Sequence, residues 1–169
     1  MRNICAVTTT RADYGILRPV LKAIVEDDAL TLQILAGDTH YAAARGRSVE
    51  RLLEDRFTIT RQFESTPRGA KPTDITSAMG RAMCSAGEAL SSLSPDLLIV
   101  AGDRFEIHAV AAAALPLLIP ILHIHGGEIT EGAMDNQFRH AISKLSHIHC
   151  VSAPVHAQRL LQMGEEPWR

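Results

Sequence analysis

Short apolar runs alternate with longer segments of helical spacing along the whole chain. Six runs predict strands, at residues 3–8, 30–36, 57–63, 97–101, 119–124 and 148–152. The fourth and fifth are continuously apolar, which is typical of strands that helices cover on both faces. The pattern therefore predicts a parallel sheet with buried central strands.

Six segments between these runs have the spacing of amphipathic helices: 14–27, 49–55, 74–93, 105–115, 134–145 and 155–163. In the fifth, a stripe of apolar residues from Met134 to Leu145 places Asp135 and Arg139 together on its flank. Short connections and right-handed crossovers turn this order into an α/β fold, a Rossmann-like doubly wound parallel sheet. Ligands of such folds bind beyond the carboxyl ends of the strands.

The longest uncharged run, residues 107–127, contains no Asp, Glu, Lys or Arg. Pro116 and Pro120 divide it into an Ala-rich half and an Ile- and Leu-rich half, and three histidines lie within it. Because a membrane span needs about 20 predominantly apolar residues without such breaks, we expect a buried helix followed by a buried strand, and no membrane partner.

Composition narrows the class further. A chain of 169 residues with 46% hydrophobic and 21% charged residues is expected to fold as one globular domain. The formal net charge of -2 and the scattered basic residues argue against a nucleic-acid partner. Cys5, Cys84 and Cys150 have no paired spacing, so we expect neither disulfides nor a thiolate metal site. The N-terminal apolar stretch is too short for a signal peptide, and a cytoplasmic location is expected.

Polar motifs follow three of the predicted strands. They are Arg11-Ala12-Asp13-Tyr14-Gly15, Gly102-Asp103-Arg104-Phe105-Glu106, and His123-Ile124-His125-Gly126-Gly127-Glu128, with Asp135, Arg139 and His140 on the helix after the last motif. Acids, imidazoles and guanidinium groups should therefore meet at one edge of the sheet, as acid/base chemistry on a phosphorylated substrate requires. No GxGxxG or Walker pattern is present, which disfavours a dinucleotide site or a P-loop.

Each of these residues also has a purely structural interpretation. Arg11 would form a surface ion pair with Asp13, and Asp103 would cap the following helix, a position that favours Asp. A single histidine is more often a satisfied core or surface group than a catalyst. Five ionisable groups around one turn favour a functional site.

Two other function classes stay open. A metal-dependent phosphoesterase or other hydrolase would use Asp103 with His123 and His125, whose i, i+2 spacing on a strand points both rings to one face. The first strand, however, ends without an Asp-x-His motif, and no Gly-Asn-His-Asp motif follows. A non-catalytic α/β interaction module is the second alternative, since fold alone does not decide function.

The motifs resemble those of the UDP-N-acetylglucosamine 2-epimerase family, and more narrowly its hydrolysing branch, which feeds sialic and legionaminic acid synthesis. The resemblance spans the chain in order and rests on Thr10-Arg11-Ala12-Asp13-Tyr14-Gly15, Gly102-Asp103-Arg104-Phe105-Glu106, His123-Ile124-His125-Gly126-Gly127-Glu128, Thr130-Glu131-Gly132-Ala133-Met134-Asp135 and Arg139-His140-Ala141-Ile142-Ser143-Lys144-Leu145-Ser146-His147. It implies a two-domain GT-B fold, with residues 1–169 as the N-terminal Rossmann-like domain. The C-terminal domain, which holds most uridine and diphosphate contacts in the family, would be absent, so this chain should be inactive or nearly so alone.

The chemistry implied by the resemblance is elimination of UDP from UDP-N-acetylglucosamine through a 2-acetamidoglucal, followed by hydration to N-acetylmannosamine, without cofactor or metal. Asp103 and Asp135 match acidic residues implicated in the family, and Arg11 matches a nucleotide-contacting arginine. His125 stands where several members carry a glutamate. Whether His125 or Glu128 removes the C2 proton is therefore open. The exact sugar is open too, since variants of the branch act on UDP-2,4-diacetamido-trideoxy sugars.

The full set of candidate residues combines these lines. The catalytic candidates are Asp103, His125, Glu128 and Asp135, and the substrate-binding candidates are Arg11, Tyr14, Arg104, Arg139 and His140. If a second domain completes the cleft, the residues expected along its rim, Arg11, Asp103, His125, Glu128 and Asp135, should be exposed and unpaired here, and UDP should bind weakly. We also expect a homo-oligomer for the intact protein, with the Ala- and Met-rich segment 74–93 either as the contact face or as an ordinary core-facing helix.

Overall fold

The computed structural model describes residues 1–41, 49–131 and 134–169. Six parallel strands form one sheet in the order β3-β2-β1-β4-β5-β6. Their bounds are β1 Arg2–Thr8, β2 Leu30–Gly37, β3 Arg61–Phe63, β4 Leu97–Ala101, β5 Ile121–Ile124 and β6 Ile148–Cys150. The α/β class and the parallel sheet predicted from the sequence are confirmed.

Helices cover both faces of this sheet. They are α1 Arg11–Val25, α2 Val49–Glu54, α3 Pro72–Leu93, α4 Phe105–Ala114, α5 Asp135–Leu145 and α6 Pro154–Gln162, with a short 3₁₀ helix at Asp38–Tyr41. Alternate residues of β1 point to opposite faces. Cys5 joins a core cluster with α3 and α4, whereas Ile4 joins a second cluster with α1 and α2.

The strand order fixes where a ligand site can form. The chain moves outward from β1 to β2 and β3, then returns to place β4 on the other side of β1. The connections after β1 and β4 therefore diverge to opposite sides, and a crevice opens between them at the carboxyl ends of the strands. This crevice lies beside the Arg11 and Asp103 motifs.

The uncharged run 107–127 divides as predicted. Its first part belongs to α4, whose residues are mostly buried, and its second part contains β5. Among the described residues, no helix has both the length and the apolar content needed to cross a bilayer.

One sequence expectation differs from the structure, and for α3 the structure agrees with one of the two alternatives that the sequence left open. The third strand was expected over 57–63, but pairing with β2 is limited to Arg61–Phe63. Arg56 has a left-handed φ of 63° and turns the chain inward, so that Phe57 packs in the core instead of extending a strand. On α3, the stripe Ala82, Ala86 and Leu90 is buried within the chain in the cluster that also contains α4. It is therefore a core-facing surface and not a free contact face.

Candidate functional site

An open cavity of about 270 Å³ lies at the carboxyl ends of β1, β4 and β5, at the crevice between β1 and β4. Six of the nine candidate residues line it: Asp103, Arg104, His125, Glu128, Asp135 and Arg139. Residues that are distant in sequence converge here because their strands are neighbours in the sheet. The α5 flank predicted from the apolar stripe faces this cavity.

Arg139 connects the loops that form the cavity wall. Its side chain is 8% exposed. One terminal nitrogen donates to Asp103 Oδ2 and, at 3.1 Å, to Thr130 Oγ1, and the other donates to the His125 carbonyl at 2.6 Å. A longer contact of 3.5 Å joins the nitrogen that bonds the His125 carbonyl to Glu128 Oε2 as well. The two terminal nitrogens are thus committed to protein acceptors, and their main effect is to position the carboxylates.

Asp103 does not cap the following helix. The N-cap of α4 is Arg104, and no side chain bonds to the helix start there. Instead, Asp103 Oδ2 accepts from Arg139 and from Thr130 Oγ1, the latter at 2.9 Å. Within the part of the chain that the structure describes, these contacts hold Oδ2 and not Oδ1.

His125 and Glu128 form a hydrogen-bonded pair. His125 Nδ1 lies 2.5 Å from Glu128 Oε1, and Ser152 Oγ donates to the same oxygen at 2.5 Å. Burial alone would raise the pKa of Glu128, but the hydrogen bonds from Ser152 and His125 and the charge of Arg139 outweigh it, and the pKa lies below its usual range. The ionised carboxylate therefore accepts the Nδ1 proton of His125, and Nε2 is the imidazole nitrogen left for a substrate.

The backbone of His125 is strained. Its φ of 65° is in the left-handed region, which non-glycine residues enter at a cost of about 1–2 kcal/mol. Two hydrogen bonds hold this conformation: the amide donates to Cys150 O at 2.9 Å, and the carbonyl accepts from Arg139. Because of this turn, His125 no longer belongs to the strand. Its ring therefore does not share a face of the sheet with the ring of His123, as i, i+2 residues of a strand would.

His123 lies below the cavity and is fully buried. Burial lowers its pKa to about 4, so the ring is neutral near pH 7. Its Nε2 is 2.8 Å from the Gly102 carbonyl, and its Nδ1 is 3.1 Å from Ser143 Oγ. A carbonyl can only accept, so Nε2 carries the proton and holds Gly102, the residue before Asp103, in its left-handed conformation of φ 82°.

Each of the two turn positions, 126 and 127, requires glycine for a different steric reason. A Cβ on Gly126 would lie 3.0 Å from both His123 Nδ1 and Ser143 Oγ. Gly127 has a φ of 74°, and a Cβ there would overlap the His156 carbonyl oxygen. The turn can therefore approach α6 closely only with glycine.

The turn between β1 and α1 is built around Asp13. This buried carboxylate accepts from the backbone amides of Thr9 and Thr10 and from the hydroxyls of Thr8 and Thr9. Asp13 thus holds the amides of Thr9 and Thr10, the two residues that lead into α1. Arg11 makes no ion pair with Asp13 and is exposed, next to the cavity-lining Thr10 and Ala12.

Arg104 reaches the cavity from the start of α4. One terminal nitrogen donates to Glu106 Oε1 at 2.6 Å, and Glu106 is fully buried. Burial by itself would lower the pKa of Arg104, but its ion pair with Glu106 more than compensates, and the pKa is raised. A cation is thereby held on the cavity wall.

Comparisons with known proteins identify the fold's relatives. The sequence profile of the UDP-N-acetylglucosamine 2-epimerase family matches residues 22–169. The chain belongs to this family. It is 38% identical over 168 residues to the GDP/UDP-N,N'-diacetylbacillosamine 2-epimerase (hydrolyzing) of Campylobacter jejuni, and 39% identical over 166 residues to the UDP-N,N'-diacetylbacillosamine 2-epimerase (hydrolyzing) of Legionella pneumophila.

These matches cover 99% and 98% of this chain but 44% of each relative, so the chain spans less than half the length of the curated relatives. The crystal structure of the Neisseria meningitidis UDP-GlcNAc 2-epimerase bound to UDP-GlcNAc superposes with a TM-score of 0.83. It is 20% identical, and the match covers 98% of this chain and 44% of that one. The shared architecture agrees with the Rossmann-like fold of the 2-epimerase family.

Three candidate residues lie outside the cavity lining. Tyr14 is buried against Phe57, and its hydroxyl donates to Asp55 at 2.6 Å, so the structure places it in the core and not at a substrate surface. His140 is half-buried, and burial, followed by the charges of Arg159 and Arg139, lowers its pKa. Arg11 lies at the rim.

The expectation that the rim side chains would be unpaired is also corrected. Of the residues expected along the rim, Asp103, His125 and Glu128 form side-chain hydrogen bonds within the chain. Helix capping explains Asp13, since Thr10 with Asp13 three residues later is a capping-box pattern that could have been recognised in the sequence. Thr130 and Ser152 carry no comparable local signal, because their partners are 27 and 24 residues away.

The arrangement required by the metal-hydrolase alternative is not formed. Both ring nitrogens of His123 are engaged in hydrogen bonds, and His125 leaves the strand before its ring could align with that of His123. Within residues 1–41, 49–131 and 134–169, no three His, Cys, Asp or Glu side chains are grouped as metal ligands.

Proposed function

We propose that the full-length protein is a hydrolysing UDP-N-acetylhexosamine 2-epimerase, in which this chain forms the N-terminal domain. One observation carries the proposal: Asp103, Asp135 and the His125–Glu128 pair converge on one cavity at the β1/β4 crevice. The identity of 38–39% to two relatives named as hydrolysing 2-epimerases supports the same reaction class.

The reaction needs a base for the C2 proton and stabilisation of the departing UDP. In our proposal His125, oriented by Glu128, and the carboxylates Asp103 and Asp135 transfer protons during elimination across C1 and C2 and during hydration of the glycal. Arg104 and Arg11 lie where positive charge would stabilise the leaving diphosphate. No cofactor takes part in this scheme.

The proposed substrate class is an N-acetylated UDP-hexosamine. Relatives with 38–39% identity are named for N,N'-diacetylbacillosamine, whereas the UDP-N-acetylglucosamine 2-epimerase of N. meningitidis is 32% identical. The UDP-2,4-diacetamido sugar is therefore the first substrate to test, with UDP-N-acetylglucosamine second. A second domain that supplies most of the nucleotide contacts, a homo-oligomeric assembly and a cytoplasmic location are parts of the same proposal.

The test is UDP release by the full-length gene product from both UDP-sugars. Asp103→Asn should lower turnover by about a hundredfold or more, because it removes a proton-transfer group while keeping the side-chain shape. Tyr14→Phe, which changes a core hydroxyl outside the cavity, is the control. Equal release of UDP by wild type and Asp103→Asn would contradict the proposal.

A further inference from the structure

Two side chains at the start of α6 extend the His125–Glu128 pair into a chain of four groups. Ser152 Oγ lies 2.5 Å from Glu128 Oε1 and 3.0 Å from His156 Nδ1. His125 Nδ1 lies 2.5 Å from the same carboxylate oxygen. The sequence of contacts is thus His125, Glu128, Ser152, His156, from the cavity towards the surface.

The hydrogen-bonding capacity of these groups fixes the direction of every bond. An ionised carboxylate can only accept, so Glu128 receives protons from His125 Nδ1 and from Ser152 Oγ. The hydroxyl has one proton, which is already used on Glu128, and Ser152 must therefore accept from His156 Nδ1. In their neutral forms both imidazoles are therefore held as Nδ1–H tautomers, and the neutral ring of His125, which lines the cavity, has its free lone pair on Nε2.

We propose that Ser152 and His156 are positioning residues that hold Glu128 in place as the acceptor of His125, so that His125 presents Nε2 to the substrate as a base. This inference rests on the proposed function, and it adds two residues that the motifs around the cavity do not contain. Neither Ser152 nor His156 touches the cavity, and both act through Glu128.

The packing of α6 against the Gly-Gly turn supports this arrangement. Arg159 donates to the Gly127 carbonyl, and the close approach at Gly127 brings the His156 backbone against the turn. α6 is thereby fixed relative to Glu128, which lets Ser152 and His156 act with a defined geometry. The charged groups around His125 are Glu128, Arg139, Asp103, Asp135, Arg104, Asp13 and His156.

The spectroscopic test uses this chain itself. Long-range proton–nitrogen correlation spectra distinguish protonated from unprotonated imidazole nitrogens, and His125 should show a protonated Nδ1 and an unprotonated Nε2. His147 provides an internal reference of the opposite kind, because its Nδ1 accepts from the Ile121 amide at 3.2 Å and its proton must be on Nε2.

Ser152→Ala and His156→Phe should each mix the two tautomers of His125, and exchange of its Nδ1 proton with solvent should become about tenfold faster once the hydrogen bond is lost. Ser152→Thr keeps the hydroxyl, and His156→Asn keeps an N–H donor, so both should restore the single tautomer. A wild-type His125 protonated on Nε2, or a tautomer that Ser152→Ala leaves unchanged, would overturn the inference.

A kinetic test on the full-length protein separates this inference from the proposed function. Ser152→Ala should lower kcat by about tenfold to a hundredfold with little change in KM and alter the acidic limb of the pH profile, whereas Ser152→Thr should stay near wild type. Absence of UDP release by the wild type would refute the proposed function, while the spectra would still judge the hydrogen-bonded chain. Normal kinetics of Ser152→Ala in an active enzyme would overturn the inference alone.

Discussion

Arg139 holds together two loops that come from different parts of the chain, the one after β4 and the one between β5 and α5. Its replacement by Met keeps much of the side-chain volume but leaves the Asp103 and Glu128 carboxylates without their cation. We expect the free energy of unfolding of the chain to fall by about 3 kcal/mol, near the lower end for broken buried pairs because both carboxylates keep some contact with solvent. Urea denaturation followed by circular dichroism measures this change.

Arg18→Met is the matched control for the loss of an arginine. Arg18 pairs with Asp55 at the surface, with 46% of its side chain exposed. Water screens the charges of such exposed pairs and makes them weak. Arg18→Met should therefore lower the free energy of unfolding clearly less than Arg139→Met. Equal losses of unfolding free energy in the two variants would contradict the role of Arg139 in holding the loops together.

His123 predicts a pH dependence of stability. Because burial lowers its pKa from 6.5 to about 4, the unfolded chain binds a proton between these values while the folded chain does not. The stability that depends on keeping this ring neutral is therefore fully present above pH 6.5. It is lost as the pH falls towards 4, and the free energy of unfolding decreases by up to about 3 kcal/mol. His123→Gln should flatten the unfolding free energy over this window in denaturation curves, compared with His147→Gln as the exposed-imidazole control. If the unfolding free energy of His123→Gln depended on pH as steeply as that of the wild type, a buried and neutral His123 ring would be contradicted.

From the sequence it was possible to predict which residues form the site, but not which hydrogen bonds and ion pairs they make. The acids and imidazoles at strand ends were predicted to converge, and Asp103, His125, Glu128 and Asp135 do line one cavity. What the residues alone could not show was the ion pair of Asp103 with Arg139, because the two residues are 36 positions apart in the sequence and a helix and a strand lie between them. Tyr14 was misplaced for a related reason: it faces the sheet from α1, and its partner Asp55 is 41 residues away.

At the scale of elements, the Gly126-Gly127 turn between β5 and α5 is the most constrained connection of the site. Gly127→Ala should destabilise the chain by about 2 kcal/mol or more, because it combines a left-handed φ with overlap on the His156 backbone. Thermal or urea unfolding of the purified chain would measure the loss.

Gly15→Ala provides the opposite expectation within the same chain. Gly15 lies inside α1, and an added Cβ would meet no atom within 4 Å. Alanine has the higher helix propensity, so this variant should stabilise the chain by about 0.5–1 kcal/mol. Destabilisation by both variants to the same extent would show that the turn has no special geometry.

Helices and central strands were predictable because periodicity and burial act locally. The uncharged run 107–127 gave a buried helix and a buried strand, since two prolines divided it. The edge strand β3 was less predictable. Residues 57–63 have strand-like composition, but the turn at Arg56 sends Phe57 into the core, and only Arg61–Phe63 pair with β2.

At the scale of the whole molecule, the open cavity predicts weak nucleotide binding by this chain alone. Ligand sites usually enclose most of the ligand surface, whereas this cavity is open and its described walls are the strand ends of one sheet and the helices that follow them. We expect UDP to bind with a Kd of about 1 mM or weaker, which isothermal titration calorimetry can measure. Micromolar affinity of the isolated chain would contradict a nucleotide site completed by a second domain.

In the proposed reaction the full-length protein removes the C2 proton of an N-acetylated UDP-sugar and later replaces it with a proton from solvent. The direct measurement is the reaction in D₂O, with the product analysed by NMR and mass spectrometry. Elimination followed by hydration predicts free UDP and a 2-epimerised sugar that carries one deuterium at C2, with both products lost in Asp103→Asn. Release of UDP with the original proton retained at C2 would contradict the elimination mechanism, and no release from either UDP-sugar would contradict the proposed function.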